Sequence, residues 1–140
     1  MTTFATPTAA SGATSATQAD SLALAGRILL AAIFLLSGVG KLSDPAGTAA
    51  YVASAGLPAP LIAAWAAALL ETFGGIALIA GLRTRLVALA LAGFSVIAAL
   101  FFHSALGDQS QMIHFMKNFA IAGGLLQVAA FGPGRFALSR

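Results

Sequence analysis

Four long stretches of apolar residues divide the chain, and short polar or turn-forming segments separate them. The stretches occupy about residues 22–40, 59–82, 86–102 and 112–131. Each is about 17–24 residues long, enough for a helix to cross a hydrocarbon core of about 30 Å. None alternates polar and apolar residues as a barrel strand does. The pattern therefore predicts an all-α, integral membrane bundle of four helices.

The segments between the stretches predict how the helices are connected. Pro45 and the break at Gly56-Leu57-Pro58 bracket a short interfacial helix over Ala46–Ala55. The sequence Arg83-Thr84-Arg85 predicts a tight turn.

Residues 1–20 are rich in Ala, Thr and Ser and have no hydrophobic periodicity. We expect them to form a disordered tail ahead of a four-helix domain at residues 21–140.

Composition excludes a water-soluble enzyme with a packed core. Hydrophobic residues make up 59% of the chain and charged residues 8%, whereas soluble domains are about 25% charged. The basic residues form no cluster, so nucleic-acid binding has no electrostatic basis. The chain has no Cys, which excludes thiolate nucleophiles, disulfide relays and cysteine-ligated clusters. A redox role would need a quinone, a non-covalent cofactor or a partner protein.

The distribution of Lys and Arg predicts the orientation in the membrane. Cytoplasmic loops carry an excess of these residues. Of the seven basic residues, two lie towards one side, Lys41 and Lys117, and five towards the other: Arg27, Arg83, Arg85, Arg135 and Arg140. Both termini are therefore expected in the cytoplasm, with Arg83 and Arg85 facing partners or anionic headgroups.

Glu71 is the most informative residue, since it falls near the middle of the second stretch. A charge at the bilayer centre costs at least about 2.5–3.5 kcal/mol. Its helical neighbours Ala67, Ala68, Gly74 and Gly75 are small, which allows another helix to approach closely. Glu71 is therefore expected to face the bundle interior.

Arg27 and Lys117 are the expected partners of Glu71, and Asn118 could add an interhelical hydrogen bond. These four residues form the candidate intramembrane polar site. Two roles remain open for Glu71: a buried ion pair that fixes helix register, or a carboxylate that moves protons or orients a ligand. Its protonation state is also open.

Further polar candidates lie towards the outer face. Arg27, Ala31, Phe34, Gly38 and Lys41 recur at helical spacing and predict an inward-facing stripe, although Lys41 is expected to extend into water.

His103 and His114 flank the outer loop at residues 103–111. Two such imidazoles could bind a metal or a b-type haem, but in most proteins they form hydrogen bonds or face water. We therefore predict no metal site.

Several short motifs occur in a consistent order along the chain. They are Gly38-Val39-Gly40-Lys41-Leu42 with Asp44-Pro45, Gly56-Leu57-Pro58, Glu71 with Gly74-Gly75, Gly81-Leu82-Arg83-Thr84-Arg85, His103, Lys117-Asn118 with Gly123-Gly124, and Phe131-Gly132-Pro133-Gly134. In this order and spacing the chain resembles the DoxX family of small bacterial membrane proteins.

The resemblance implies a multi-pass protein of the bacterial cytoplasmic membrane. Relatives are associated with thiosulfate:quinone oxidoreductase or with membrane complexes that handle oxidative stress. The recurrent polar positions of the family correspond to Arg27, Lys41, Glu71, Arg85, Lys117 and Asn118. Their chemical roles are poorly defined, so the resemblance locates a site without naming a reaction.

The combined expectation is a small membrane subunit of a quinone-linked oxidoreductase system, with a polar site centred on Glu71. No complete catalytic site or cofactor site is visible, so the quinone would be a bound substrate and a dehydrogenase or oxidase partner would supply electrons. Two alternatives stay open. One is a non-enzymatic membrane anchor or assembly factor, and the other is a small-molecule carrier that works as a homo-oligomer.

Overall fold

The computed structural model describes residues 10–139, with side chains from Ser15 onward, and this part of the chain is helical with no strands. The elements are α1 (Ala10–Ser43), α2 (Pro45–Ser54), α3 (Pro60–Ala80), α4 (Thr84–Phe102) and α5 (Gln109–Phe131). The all-α prediction is confirmed.

Three helices of the described chain are long and apolar enough to cross a membrane. They are α3, α4 and residues Ser15–Ser43 of α1. Helix α5 has 23 residues, but its first half is more polar because it contains His114, Lys117 and Asn118. The prediction of a helical membrane protein is confirmed, while the four-span arrangement and the cytoplasmic termini remain predictions.

Helix α2 confirms the short helix expected before the second apolar stretch. The Asp44 side chain accepts a hydrogen bond of 2.9 Å from Gly47 N, and Pro45 occupies the first turn. Both residues favour a helix start, because Asp satisfies a free backbone amide and Pro has no amide to satisfy. Val52 is buried and fixes the inner face of α2.

Helix α1 begins earlier than the first apolar stretch. It starts at Ala10, so residues 10–20 continue the helix, although we expected them to belong to the tail. This segment is rich in Ala, the best helix former, and extending an existing helix costs far less than nucleating one. Residues 1–9 of the expected tail, and Arg140 of the charge count, lie outside the described residues.

The helices are arranged as two antiparallel pairs, α1 with α3 and α4 with α5. A Cβ added to Gly38 would lie 2.7 Å from the backbone nitrogen of Thr72, so α1 and α3 approach closely at this point. The two pairs meet in a core that includes Ala31, Phe34, Leu78, Leu91 and Leu125.

Residues 132–139, which we call the C-terminal strap, fold back over the end of α3. Leu138 N donates to Ala80 O at 3.0 Å and Ser139 N donates to Gly81 O at 3.1 Å. Gly81 ends the helix with a positive φ of 74°, a conformation that glycine adopts without strain. The strap therefore satisfies carbonyls that the end of a helix leaves unpaired.

Candidate polar cavity between the helices

A cavity of about 370 Å³ lies between the two helix pairs. All five helices contribute to its lining, and its apolar walls include Phe34, Phe94 and Ile121. The Tyr51 ring of α2 stacks on Phe102 of α4 with centroids 5.0 Å apart, which ties α2 to the cavity wall. Small-molecule sites in proteins span about 300–1,000 Å³ and combine apolar walls with a few polar groups.

Lys41, Ser37 and Glu71 form a connected polar network in this cavity. Lys41 Nζ lies 2.8 Å from Glu71 Oε2 and donates to Ser37 Oγ at 2.5 Å. Ser37 Oγ in turn donates to Glu71 Oε1 at 3.0 Å. Glu71 is only 4% exposed, which confirms that it faces the interior. Its charge is thus compensated by an ammonium group and a hydroxyl within hydrogen-bond distance.

The partner of Glu71 is therefore Lys41, and the expectation that Arg27 or Lys117 pairs with it was wrong. The expectation that Lys41 extends into water was wrong as well. The reason is helix register. Glu71 packs beside Gly38, with its Cβ 3.1 Å from the position of an added Cβ there. Lys41 is three residues away along α1, or about 4.5 Å of rise.

Arg27 belongs to a different site at the opposite end of the bundle. Its Nη1 donates to Leu78 O and to Ile79 O, each at 3.0 Å, and its Nη2 donates to Phe136 O. The side chain is fully buried. Arg27 thus joins the end of α3 to the C-terminal strap, and it contributes nothing to the cavity around Glu71.

His103 and His114 stack on each other at the border of the cavity. Their ring centroids are 5.0 Å apart, with an angle of 26° between the planes. His103 Nδ1 lies 2.9 Å from Gln111 Oε1, within hydrogen-bond distance. Within the described residues, no group of three or more His, Asp or Glu side chains is arranged to hold a metal ion.

Lys117 and Asn118 reach the cavity from α5. Asn118 Nδ2 donates to the backbone oxygen of His114 at 3.0 Å, one turn earlier in the helix. Lys117 is exposed and lines the cavity. Among residues 15–139 no acidic side chain forms an ion pair with it.

The structure thus brings together six of the nine candidate residues. Lys41, Glu71, His103, His114, Lys117 and Asn118 all line the cavity, whereas Arg27, Arg83 and Arg85 do not. Sequence reasoning missed Ser37, which links Lys41 to Glu71. The signal was present, because Ser37 precedes Lys41 by four residues and shares its helix face.

Large apolar side chains cover the outside of the molecule, as a lipid environment requires. Ile62, Leu36 and Phe73 are 73%, 79% and 64% exposed. Long apolar helices, an apolar exterior and a polar interior cavity together define a helical multi-pass membrane protein.

Comparison with known proteins agrees with this class. Residues 22–104 match the family model for DoxX. Inner membrane protein YqjF of Escherichia coli (strain K12) is 39% identical over 120 residues, which cover 84% of this chain and 88% of YqjF. Inner membrane protein YphA of the same strain is 36% identical over 124 residues, covering 85% and 89%. No solved structure matches the chain.

The chain belongs to the DoxX family and is a multi-pass protein of the bacterial cytoplasmic membrane. The family match ends at residue 104, before α5 begins at Gln109. The matched part therefore contains Lys41, Glu71 and His103, while Lys117 and Asn118 lie beyond it.

Proposed function

We propose that this protein is the membrane subunit of a quinone-linked oxidoreductase system and that the cavity binds the quinone ring. The observation that carries the proposal is the cavity itself, which combines apolar walls with the Lys41–Glu71 pair. A quinone needs this combination, because its ring is apolar and its two oxygens accept hydrogen bonds.

The charged pair also suits the protons that quinone reduction consumes. A quinone takes up two electrons and two protons to become a quinol. Lys41, Ser37 and Glu71 are joined by hydrogen bonds, so a proton delivered to the ring oxygen can be replaced through the same network. The electrons would come from a dehydrogenase or oxidase partner, because this chain contains no Cys to support its own redox relay.

A binding experiment tests the cavity directly. The protein would be reconstituted in lipid nanodiscs and titrated with a photoreactive short-chain quinone, with labelling mapped by mass spectrometry. We expect saturable labelling of cavity residues in the wild type and at least about tenfold weaker binding in Glu71→Gln, which loses the charge but keeps the shape. Undiminished binding to Glu71→Gln would remove Glu71 from the site.

A matched pair of variants separates loss of space from loss of charge. Ala67 lines the cavity, so Ala67→Phe should fill it and abolish saturable labelling. Leu69 lies on the same helix and is 42% exposed, so Leu69→Phe adds the same ring outside the cavity and should leave labelling unchanged. Equal labelling in both variants would show that the quinone binds elsewhere.

A structural role as an anchor or assembly factor is the competing function. It is favoured by the local compensation of Glu71, whose Oε2 lies 2.8 Å from the Lys41 ammonium and whose Oε1 accepts a hydrogen bond from Ser37. Gentle extraction from the native membrane followed by mass spectrometry distinguishes the two. A stoichiometric dehydrogenase or oxidase supports the redox subunit. Lower yield of Glu71→Gln with no bound quinone in the wild type supports the anchor.

A further inference from the structure

The charges that line the cavity do not balance. Two ammonium groups, of Lys41 and Lys117, and one carboxylate, of Glu71, contribute to the lining. Lys41 and Glu71 neutralise each other at 2.8 Å. The lining therefore carries one uncompensated positive charge when both histidines are neutral, and that charge belongs to Lys117.

The Lys117 ammonium is available to a negatively charged ligand, because it lines the cavity and has no ion-pair partner among the described residues. Lys117 lies three residues beyond His114, or about 4.5 Å of helical rise further into α5, and Ile121, one turn further along the same helix, also lines the cavity. A ligand that enters the cavity would cover this charge, and covering a charge is costly unless the ligand offers an opposite charge or a hydrogen-bonding group. Within the described residues, no carboxylate is positioned to provide this compensation.

The aromatic side chains that line the cavity also restrict the shape of the ligand that Lys117 could bind. The stacked rings of His103 and His114 border the cavity on this side. The stacked pair of Tyr51 and Phe102 borders it as well. Flat aromatic walls favour a flat ligand, because offset stacking adds to the free energy of burial.

We propose that the cavity selects a flat ring that carries an anionic oxygen, and that Lys117 binds this oxygen. The proposal rests on the proposed function, since it names the chemical form of the quinone-class ligand. An ionised hydroxyquinone and an aromatic carboxylate share this chemistry. Lys41 is less suited to an anionic oxygen, because the Glu71 carboxylate at 2.8 Å already neutralises its charge.

Three probes test the proposal in nanodiscs: menadione, its ring-hydroxylated derivative, which is ionised at neutral pH, and naphthoate. We expect the wild type to bind the hydroxylated quinone about tenfold or more tightly than menadione, the gain typical of a charged hydrogen bond. Lys117→Met should abolish this preference, so that the hydroxylated quinone and menadione bind the variant with equal affinity. Lys117→Arg should retain the preference, because it keeps the charge.

Two further variants control for a general loss of positive charge and for misfolding. Arg83→Gln removes a positive charge outside the cavity and should not alter the preference. If Lys117→Met fails to fold, as judged by its melting temperature, Lys117→Gln replaces it. Equal affinity of the wild type for menadione and its hydroxylated derivative would overturn the anionic subsite and leave the quinone cavity standing. Binding of naphthoate but of neither quinone would retain the subsite and overturn the quinone assignment. Binding of no probe would overturn both.

Discussion

Gly38 determines how closely α1 approaches α3 beside the Lys41–Glu71 pair. A Cβ at this position would lie 2.7 Å from the backbone nitrogen of Thr72 and 3.1 Å from Glu71 Cβ. Backbone atoms cannot move aside as a flexible side chain can. The close contact, and with it the position of Glu71 relative to Lys41, therefore depends on the absence of a side chain at Gly38.

Replacing Gly38 tests this dependence. We expect Gly38→Ala to lower the free energy of unfolding by about 1–3 kcal/mol, because the added methyl group overpacks the α1–α3 contact. Gly40 lies two residues away and has nothing within 4 Å of an added Cβ, so Gly40→Ala should be neutral or stabilising by up to about 1 kcal/mol. Melting temperatures in detergent measure both. Equal effects of the two substitutions would contradict the close contact.

The interior position of Glu71 could be predicted from sequence, but its partner could not. The small residues around Glu71 predicted that this face of the helix is buried, and Ala68, Gly74 and Gly75 are buried in the structure. Which cation pairs with Glu71 depends on the axial register of α1 relative to α3. Lys41 and Arg27 are both cations on the inward stripe of α1, fourteen residues or about 21 Å apart. In the structure, the packing of Gly38 against Thr72 and Glu71 places Lys41, and not Arg27, beside the carboxylate.

At the level of elements, the C-terminal strap completes the end of α3. The buried Arg27 side chain links the strap to α3, since it donates hydrogen bonds to the carbonyls of Leu78, Ile79 and Phe136. Sequence analysis located Arg27 on the inward stripe but assigned it to the wrong site. The strap has no hydrophobic periodicity, so no pattern in residues 132–139 indicates that it returns to α3.

Removing the guanidinium should release the strap. In Arg27→Met the carbonyls of Leu78, Ile79 and Phe136 lose their side-chain donor. An unsatisfied acceptor that is buried, as in the bond to Leu78 O, costs about 1–3 kcal/mol. We expect trypsin to cleave after Arg135 faster in detergent-solubilised Arg27→Met than in the wild type, as followed by mass spectrometry. Arg83→Met removes an exposed guanidinium and serves as the control. Unchanged cleavage at Arg135 in Arg27→Met would contradict the role of Arg27 in holding the strap.

The whole molecule is asymmetric along its long direction. The end near Arg27 carries the strap and the exposed Arg83, Arg85 and Arg135, whereas the other end contains the cavity and α2. The excess of Arg predicts that the strap end faces the cytoplasm. The cavity would then open towards the outer half of the membrane.

The absence of Cys makes this orientation directly measurable. A single cysteine at Ser104, in the loop between α4 and α5, should react with a membrane-impermeant maleimide in intact spheroplasts. A single cysteine at Leu138, which is 77% exposed, should react only after the membrane is opened. The reverse pattern would invert the topology, and labelling of both sites in intact cells would show that the two positions lie on the outer side.

The bond between Arg27 and Phe136 also has a consequence for biosynthesis. These residues are separated by 109 positions, so Arg27 enters the membrane long before its last acceptor has been translated. Until then the nascent chain holds an incompletely bonded guanidinium in a region where such a group is unfavourable. Chains that terminate before Phe136 keep this defect permanently. We therefore expect prematurely terminated products to be degraded by membrane proteases, so that only finished chains accumulate.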